Sequence, residues 1–291
     1  MLVAVFVTSL SAFSQQHFKK QIPAGNYSGI CALGHDRYAV VSDKSESDGF
    51  FIFRLAIDSV KGRITEAANE GFFSSGLPNC DMEGICYFPP ANTVFISNEA
   101  NNEVNEYTLH GLRTGRSLNV PAAFKTAKAN LGLESLTYDA SAHCFYTTTE
   151  RPLPGDSLLR IQAFNDQLEL TRQYLYKPDA PLSAKHYHGV SELCALGDGR
   201  LLVLERQVKI PKLKIGATTV IRIYETTPAN GTRLDKRLVK EFTTKLTVFG
   251  RKFANYEGMC LTNHGWLLLV ADSQNRYRGI LRDLFLLITH Y

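Results

Sequence analysis

The stretch "CDMEGICYF" from Cys80 returns as "NYEGMCLTN" from Asn255, about 175 residues later in a chain of 291. An acid, a glycine and a cysteine repeated at fixed spacing constrain the fold more than any bulk property, because a self-similar chain builds self-similar units that pack on one another. Five segments align: "YSGICALGHDRYAVVSDK" from Tyr27, "DMEGICYFPPANTVFISNEA" from Asp81, "LGLESLTYDASAHCFYTTTER" from Leu131, "GVSELCALGDGRLLVLERQ" from Gly189 and "NYEGMCLTNHGWLLLVADSQ" from Asn255. Each reads as a short apolar strand, a turn of Asp, Asn, Gly or Ser, and a second apolar strand, which is a hairpin pattern. The second strand ends in an acid every time: Asp43, Glu99, Glu150, Glu205 or Asp272.

Another β-rich run follows each hairpin ("FFIFRLAID", "EVNEYTLHG", "SLLRIQAFN", "TTVIRIYET" and "ILRDLFLLIT"), and "RQYLYK" and "KEFTTKL" read as fourth strands. Four strands per unit, with motif starts 50 to 66 residues apart, is the spacing of β-propeller blades. The expectation is an all-β propeller of five blades, with six irregular blades as the alternative. The last unit runs out at Tyr291 after three strands, so "HFKKQIP" near the N-terminus is expected to supply the missing one, closing the ring and removing a sheet edge. Only "PAAFKTAKANLG" has room for a helical turn or two. Residues 15–291 therefore read as one domain.

A formal charge of +4 and no run of five basic residues give no reason to expect a nucleic-acid partner. "MLVAVFVTSLSAFSQQ" reads as a signal peptide, residues 1–14, cleaved near Ser14, although it lacks a basic leading segment. Export to the periplasm or the extracellular space follows. The run is too short to span a bilayer, no cysteine follows the cleavage site, and "LRDLFLLITHY" is broken by Arg282 and Asp283. No membrane insertion is expected after cleavage. Six cysteines in an exported chain invite a disulfide reading. Cys31, Cys86, Cys194 and Cys260 hold equivalent repeat positions, however, and equivalent positions line one layer of a fold. They are expected to be small, buried free thiols.

In a propeller the first strand of each blade lines the central channel. Glu83, Glu134 and Glu257 head that strand in three blades; Ser28 stands there in the first, and Glu192 is offset by one residue, which reverses a strand side chain. Converging carboxylates repel and raise one another's pKa values; a hard cation such as Ca²⁺ relieves this, as do backbone N–H groups or water. The second set of acids carries cations: Asp43-Lys44, Glu150-Arg151, Glu205-Arg206, and Asp272 with Asn275 and Arg276 in "ADSQNRYR". Such a mouth can hold an anion by Arg and a metal by carboxylate, or it can be a ring of weak surface ion pairs. His186 and His188 in "KHYHGVSE" can share one strand face and bind a metal, or be solvated loop histidines. No nucleophile elbow, Walker loop, H-E-x-x-H or dinucleotide fingerprint is present.

"CDMEGICYF" with "ISNEA", "GLESLTYD" with "TTTER", "GVSELCALGDGRLLVLER" and "NYEGMCL" with "ADSQNRY" resemble the phytase-like family described as esterase-like activity of phytase. The resemblance spans about Ser28 to Tyr277. It implies an exported β-propeller hydrolase acting on small anionic phosphate or carboxylic esters, with calcium at the mouth binding phosphate and activating water; a monomer is expected. Carried onto this chain, it implies Glu83, Glu134 and Glu257 as catalytic groups. Glu83, Glu99, Glu134, Glu150, Glu192, Glu257, Asp43 and Asp272 are the implied metal ligands, and Arg151, Arg206, Arg276 and Lys44 the anion binders. Ser28 departs from a complete acidic ring. A non-catalytic propeller holding a sugar, peptide or protein, and a lactonase-like enzyme, are the alternatives.

Overall fold

Tight left-handed turns fold each repeat back on itself. His35 and Asp36, at φ 51° and 58°, join β2 (Tyr27–Gly34) to β3 (Arg37–Ser42), the geometry that matches the twist of paired strands. The structure is a computed structural model that describes residues 14–212, 214–228, 231–273 and 281–291. The expected signal peptide therefore falls, but for Ser14, outside the described residues, and so does Arg276.

The first blade is β2, β3, β4 (Ser47–Asp58) and β5 (Arg63–Pro78), and the second is β6 (Met82–Phe88), β7 (Thr93–Asn98), β8 (Glu103–Thr108) and β9 (Arg113–Ser117). The third comprises β10 (Leu133–Asp139), β11 (Cys144–Thr149), β12 (Leu159–Asn165) and β13 (Leu170–Tyr176). The fourth comprises β14 (Tyr187–Ala195), β15 (Leu201–Lys209), β16 (Thr218–Thr226) and β17 (Arg237–Lys245). The fifth runs β18 (Asn255–Leu261), β19 (Leu267–Asp272), β20 (Phe285–Ile288) and then β1 (Ser14–Gln16), in that spatial order. Every pairing is antiparallel, and the five-bladed propeller read from the repeats is what the chain forms. One 3₁₀ turn, Ala122–Thr126, lies where the only helical signal was. Among the described residues no helix is long and apolar enough to cross a membrane.

The N-terminal strand closes the ring, but not with the segment expected. β1 pairs Ser14, Gln15 and Gln16 with Leu287, Leu286 and Phe285. "HFKKQIP" instead turns away, with Gln21 and Ile22 N–H donating to Phe18 O at 2.9 and 2.8 Å. Phe18 packs on Phe285 and Ile22 is buried beside it, so two apolar anchors hold the segment under the fifth blade and leave too little extended chain to pair.

Five apolar clusters fill the five seams between neighbouring blades, and the repeated cysteines belong to them. Cys31 packs with Ile85, Cys86 with Leu136, Cys194 with Met259 and Cys260 with Ile30. At the remaining seam Thr137 Oγ1 accepts the Ala195 N–H at 3.0 Å. All six cysteines are free, and these four are buried. Each thiol thus sits at a blade seam, and all four also line a small cavity of about 150 Å³ among the first strands.

The first strand of every blade carries a bulge near its start, and that irregularity builds the axis. It falls at Ser28, Glu83–Gly84, Glu134, Ser191 and Glu257, where the unpaired residue turns toward the mouth. The next position inward is Gly29, Gly84, Ser135, Glu192 or Gly258. Three of the five are glycine, and at Gly84 the space is tight: a Cβ there would lie 2.7 Å from the Ser135 carbonyl carbon.

Candidate functional site

The bulges raise Glu83, Glu134 and Glu257 into a cavity of about 450 Å³ at one end of the axis. The ends of the second strands add Asp43, Glu99, Glu150 and Asp272, and the loop before β6 adds Asp81. Lys44, Lys185 and Arg206 are the cations of the lining. Seven of the eight acids expected to hold a metal are therefore brought together. The eighth is not.

Glu192 lies one layer below the mouth, 1% exposed, at the position where three other blades have glycine. Its Oε1 accepts the Leu136 and Leu193 N–H groups at 3.2 and 3.0 Å, while Oε2 has no partner. Burial holds its carboxyl well above the ordinary range despite those backbone bonds. It plugs the axis and does not join the mouth acids. The bulge residue of the fourth blade is Ser191, which donates to Tyr256 O, as Ser28 donates to Met82 O in the first blade.

A second one-residue offset concerns the fourth blade's other end. By strand register, Arg206 pairs with Gly189 and stands where the other blades place Asp43, Glu99, Glu150 and Asp272. Glu205 points outward to Tyr176, Lys236 and the Asp179 N–H. Arg206 reaches inward instead. Its Nη2 lies 3.0 Å from Glu134 and 3.2 Å from Glu150, and its Nη1 bonds Glu257 and, at 3.0 Å, Asn255 Oδ1. Burial opposes this charge, but Glu257, Glu150 and Glu134 hold the guanidinium firmly protonated. With both Nη groups committed to four acceptors, Arg206 is a hub for carboxylates rather than an open anion binder. Glu150 also accepts the Tyr187 hydroxyl, and the room for its side chain comes from Gly189, where a Cβ would lie 2.8 Å from Oε1.

Arg151, expected as an anion binder, is absent from the lining. Its guanidinium stacks on the Tyr187 ring at 4.2 Å and donates to His188 O, so it positions Tyr187 from behind. His186 and His188 also miss the cavity; strand alternation turns Tyr187 into the mouth and both neighbours away. His186 Nδ1 is 2.8 Å from Ser183 Oγ.

The first two blades show a different arrangement. Oxygen atoms of Asp43, Asp81 and Glu83 all lie within 4.8 Å of one another. Lys44 Nζ contacts Asp43 Oδ2 at 2.8 Å and Asp81 at 3.0 Å, while the buried Asp43 Oδ1 has no partner. No hydrogen bond to the Glu83 carboxylate occurs among the described residues, and burial, with Glu134, Glu257 and Asp43 nearby, holds that carboxyl well above its usual range. Asp43 is also raised by burial, against the pull of Lys44. Glu99 is pushed up to about 7 by burial, although its Oε1 accepts the Gly132 N–H at 2.7 Å.

Asp81, Lys185 and Tyr187 are lining residues that sequence reasoning missed. All three lie inside quoted motifs, Asp81 two residues from Glu83, and Lys185 and Tyr187 beside the two histidines, and a period-two reading of each stretch would have aimed them at the mouth.

Comparison with solved structures finds a similar fold in distant sequences. A Trichoderma reesei carbohydrate-active enzyme of family AA12 is 9% identical, with 95% of this chain and 96% of that one covered and a TM-score of 0.54. A luciferin-regenerating enzyme is 9% identical, with 95% of each chain covered and a TM-score of 0.52. At such identities the likeness is one of fold. No curated protein sequence matches significantly. The phytase-like family profile, described as esterase-like activity of phytase, matches residues 22–274. The chain belongs to that family.

Proposed function

We propose that the protein is an exported, metal-assisted hydrolase of small anionic esters, phosphate or carboxylic, with its site on the first- and second-blade side of the mouth. The observation that carries this is the Asp43–Asp81–Glu83 cluster: three carboxylates within 4.8 Å, one with an oxygen that has no partner, beside the cavity's lysines. An all-carboxylate oxygen set suits a hard cation such as Ca²⁺, and the mutual repulsion gives such an ion something to neutralise. Asp43, Asp81 and Glu83 would hold it, supplying Lewis-acid polarisation of the ester oxygen when bound. Lys44 and Lys185 attract the anionic group into the cavity. Glu99 titrates near neutrality, so its Oε2, free of the Gly132 bond, is suited to holding and returning a proton.

Calcium added to the metal-free protein is expected to raise its melting temperature, and Asp43→Asn with Asp81→Asn to remove both that shift and calcium-dependent turnover of nitrophenyl phosphate and acetate. A wild-type protein that shows neither response would sink the proposal. A second reading has its own support. Arg206 satisfies Glu134, Glu150 and Glu257 internally, which suits a non-catalytic propeller whose acids serve the fold; calcium binding without turnover of either ester class would favour it.

A further inference from the structure

Two neighbouring loops on the fourth blade's side of the mouth carry a chemistry unlike the rest of the rim. One links β15 to β16 across residues 208–217, and the other links β17 to β18 across residues 245–254. Together they contain Lys209, Lys212, Lys214, Lys245, Arg251 and Lys252 and no acid. They are laced at the base: Gly216 N–H donates to Leu246 O and Leu246 N–H to Ala217 O, both at 2.9 Å. Val208, Ala217, Leu246 and Phe253 pack beneath as a small separate core. Above that core the apolar side chains point into water. Thr247 N–H bonds Gly250 O at 3.0 Å, and this turn presents Val248 and Phe249 at 72% and 100% exposure. Ile210 and Ile215 are exposed on the adjoining loop.

We propose that these loops dock the protein peripherally on a bilayer bearing anionic lipids. Exposed apolar tips inside a collar of one sign of charge match a membrane interface: the tips enter the headgroup–acyl boundary and the cations meet the negative surface. The occupant follows from charge. A second copy related by two-fold symmetry would set basic loops against basic loops, and a neutral surface would offer them no opposite charge. The tips are not needed for folding, since the core below them is complete without them, and contiguous exposed apolar surface marks contact sites. Ile210, Val208 and Phe253 also line the mouth cavity, so docking would bring the mouth close to the lipid surface. This inference is independent of whether the mouth is catalytic.

The test is co-sedimentation of the full chain with vesicles of phosphatidylcholine alone or mixed with phosphatidylglycerol. Binding is expected to the mixed vesicles only, weakening as salt rises. Val248→Ser with Phe249→Ser should lower the partition coefficient about a hundredfold, and Lys245→Gln with Lys252→Gln about thirtyfold; all four side chains are exposed, and unchanged melting verifies folding. Absence of binding to either vesicle, equal binding to both, or binding untouched by the Val248/Phe249 pair overturns the proposal. So does a dimer dissolved by Phe249→Ser in a protein that ignores vesicles.

Discussion

The two sides of the mouth carry the same kind of residue under opposite electrostatic regimes. On the side of the third to fifth blades, Glu134, Glu150 and Glu257 close around Arg206, which is itself buried. On the side of the first and second, Asp43 and Asp81 share Lys44, half of whose side chain is in water, and Glu83 has no ion pair among the described residues. A buried fork-shaped cation meets several carboxylates at once, whereas a flexible ammonium near the surface neutralises weakly and can be displaced. One side is finished as a structure; the other is left with a charge imbalance that a ligand can correct.

The largest expected effect comes from removing the finished side's hub. Arg206→Ala strands three buried carboxylates and should destabilise the fold by about 3–5 kcal/mol in urea denaturation, and Arg206→Lys should not restore it because one ammonium cannot bridge the set. A tolerated Arg206→Ala would break the distinction between the sides. The open side should respond with opposite sign: Glu83→Gln in metal-free buffer removes a buried carboxyl that has no hydrogen bond among the described residues and whose ionisation burial opposes, and should stabilise by about 1–2 kcal/mol.

Glu192, below both sides, provides the pH control. Its carboxyl is raised in the folded state, so the native chain keeps a proton that the unfolded chain loses. That contribution is full below the unfolded value of about 4.3 and is lost as pH rises toward and through the folded value. Between pH 4 and 8 the wild-type chain should lose about 1 kcal/mol or more relative to Glu192→Gln, whose side chain does not titrate. Parallel stability–pH curves for the two proteins would refute the raised value. The smallest effect sharpens the comparison most: Lys44→Ala should change stability by roughly 0.5 kcal/mol or less, yet tighten calcium binding by calorimetry, because the ammonium and the metal compete for Asp43 and Asp81.

The blades were legible because each repeat spells its own hairpin: turn residues, alternation and a terminal acid all recur. Spacing from the cysteines even marks the bulge residue, three positions earlier in the four blades that carry one, and this points to Ser191 and not Glu192. What sequence could not show is which neighbour an offset residue meets. Glu205 and Arg206 are adjacent in the chain and face opposite ways, so naming the wrong one as the strand-end residue hides the hub. The closing strand shifted to Ser14–Gln16 for a similar reason, since Phe18 and Ile22 read as strand residues but serve as anchors.

The cysteines at the blade seams turn the ring into its own strain gauge. Four of the five joints hold one shielded sulfur, pressed against a hydrophobic partner from the next sheet. Each is no more than 7% exposed, so an alkylating reagent reacts faster where the structure around that sulfur opens more readily, and the labelling rate at each cysteine reports local opening. The order in which Cys31, Cys86, Cys194 and Cys260 react would show where the circle gives way first.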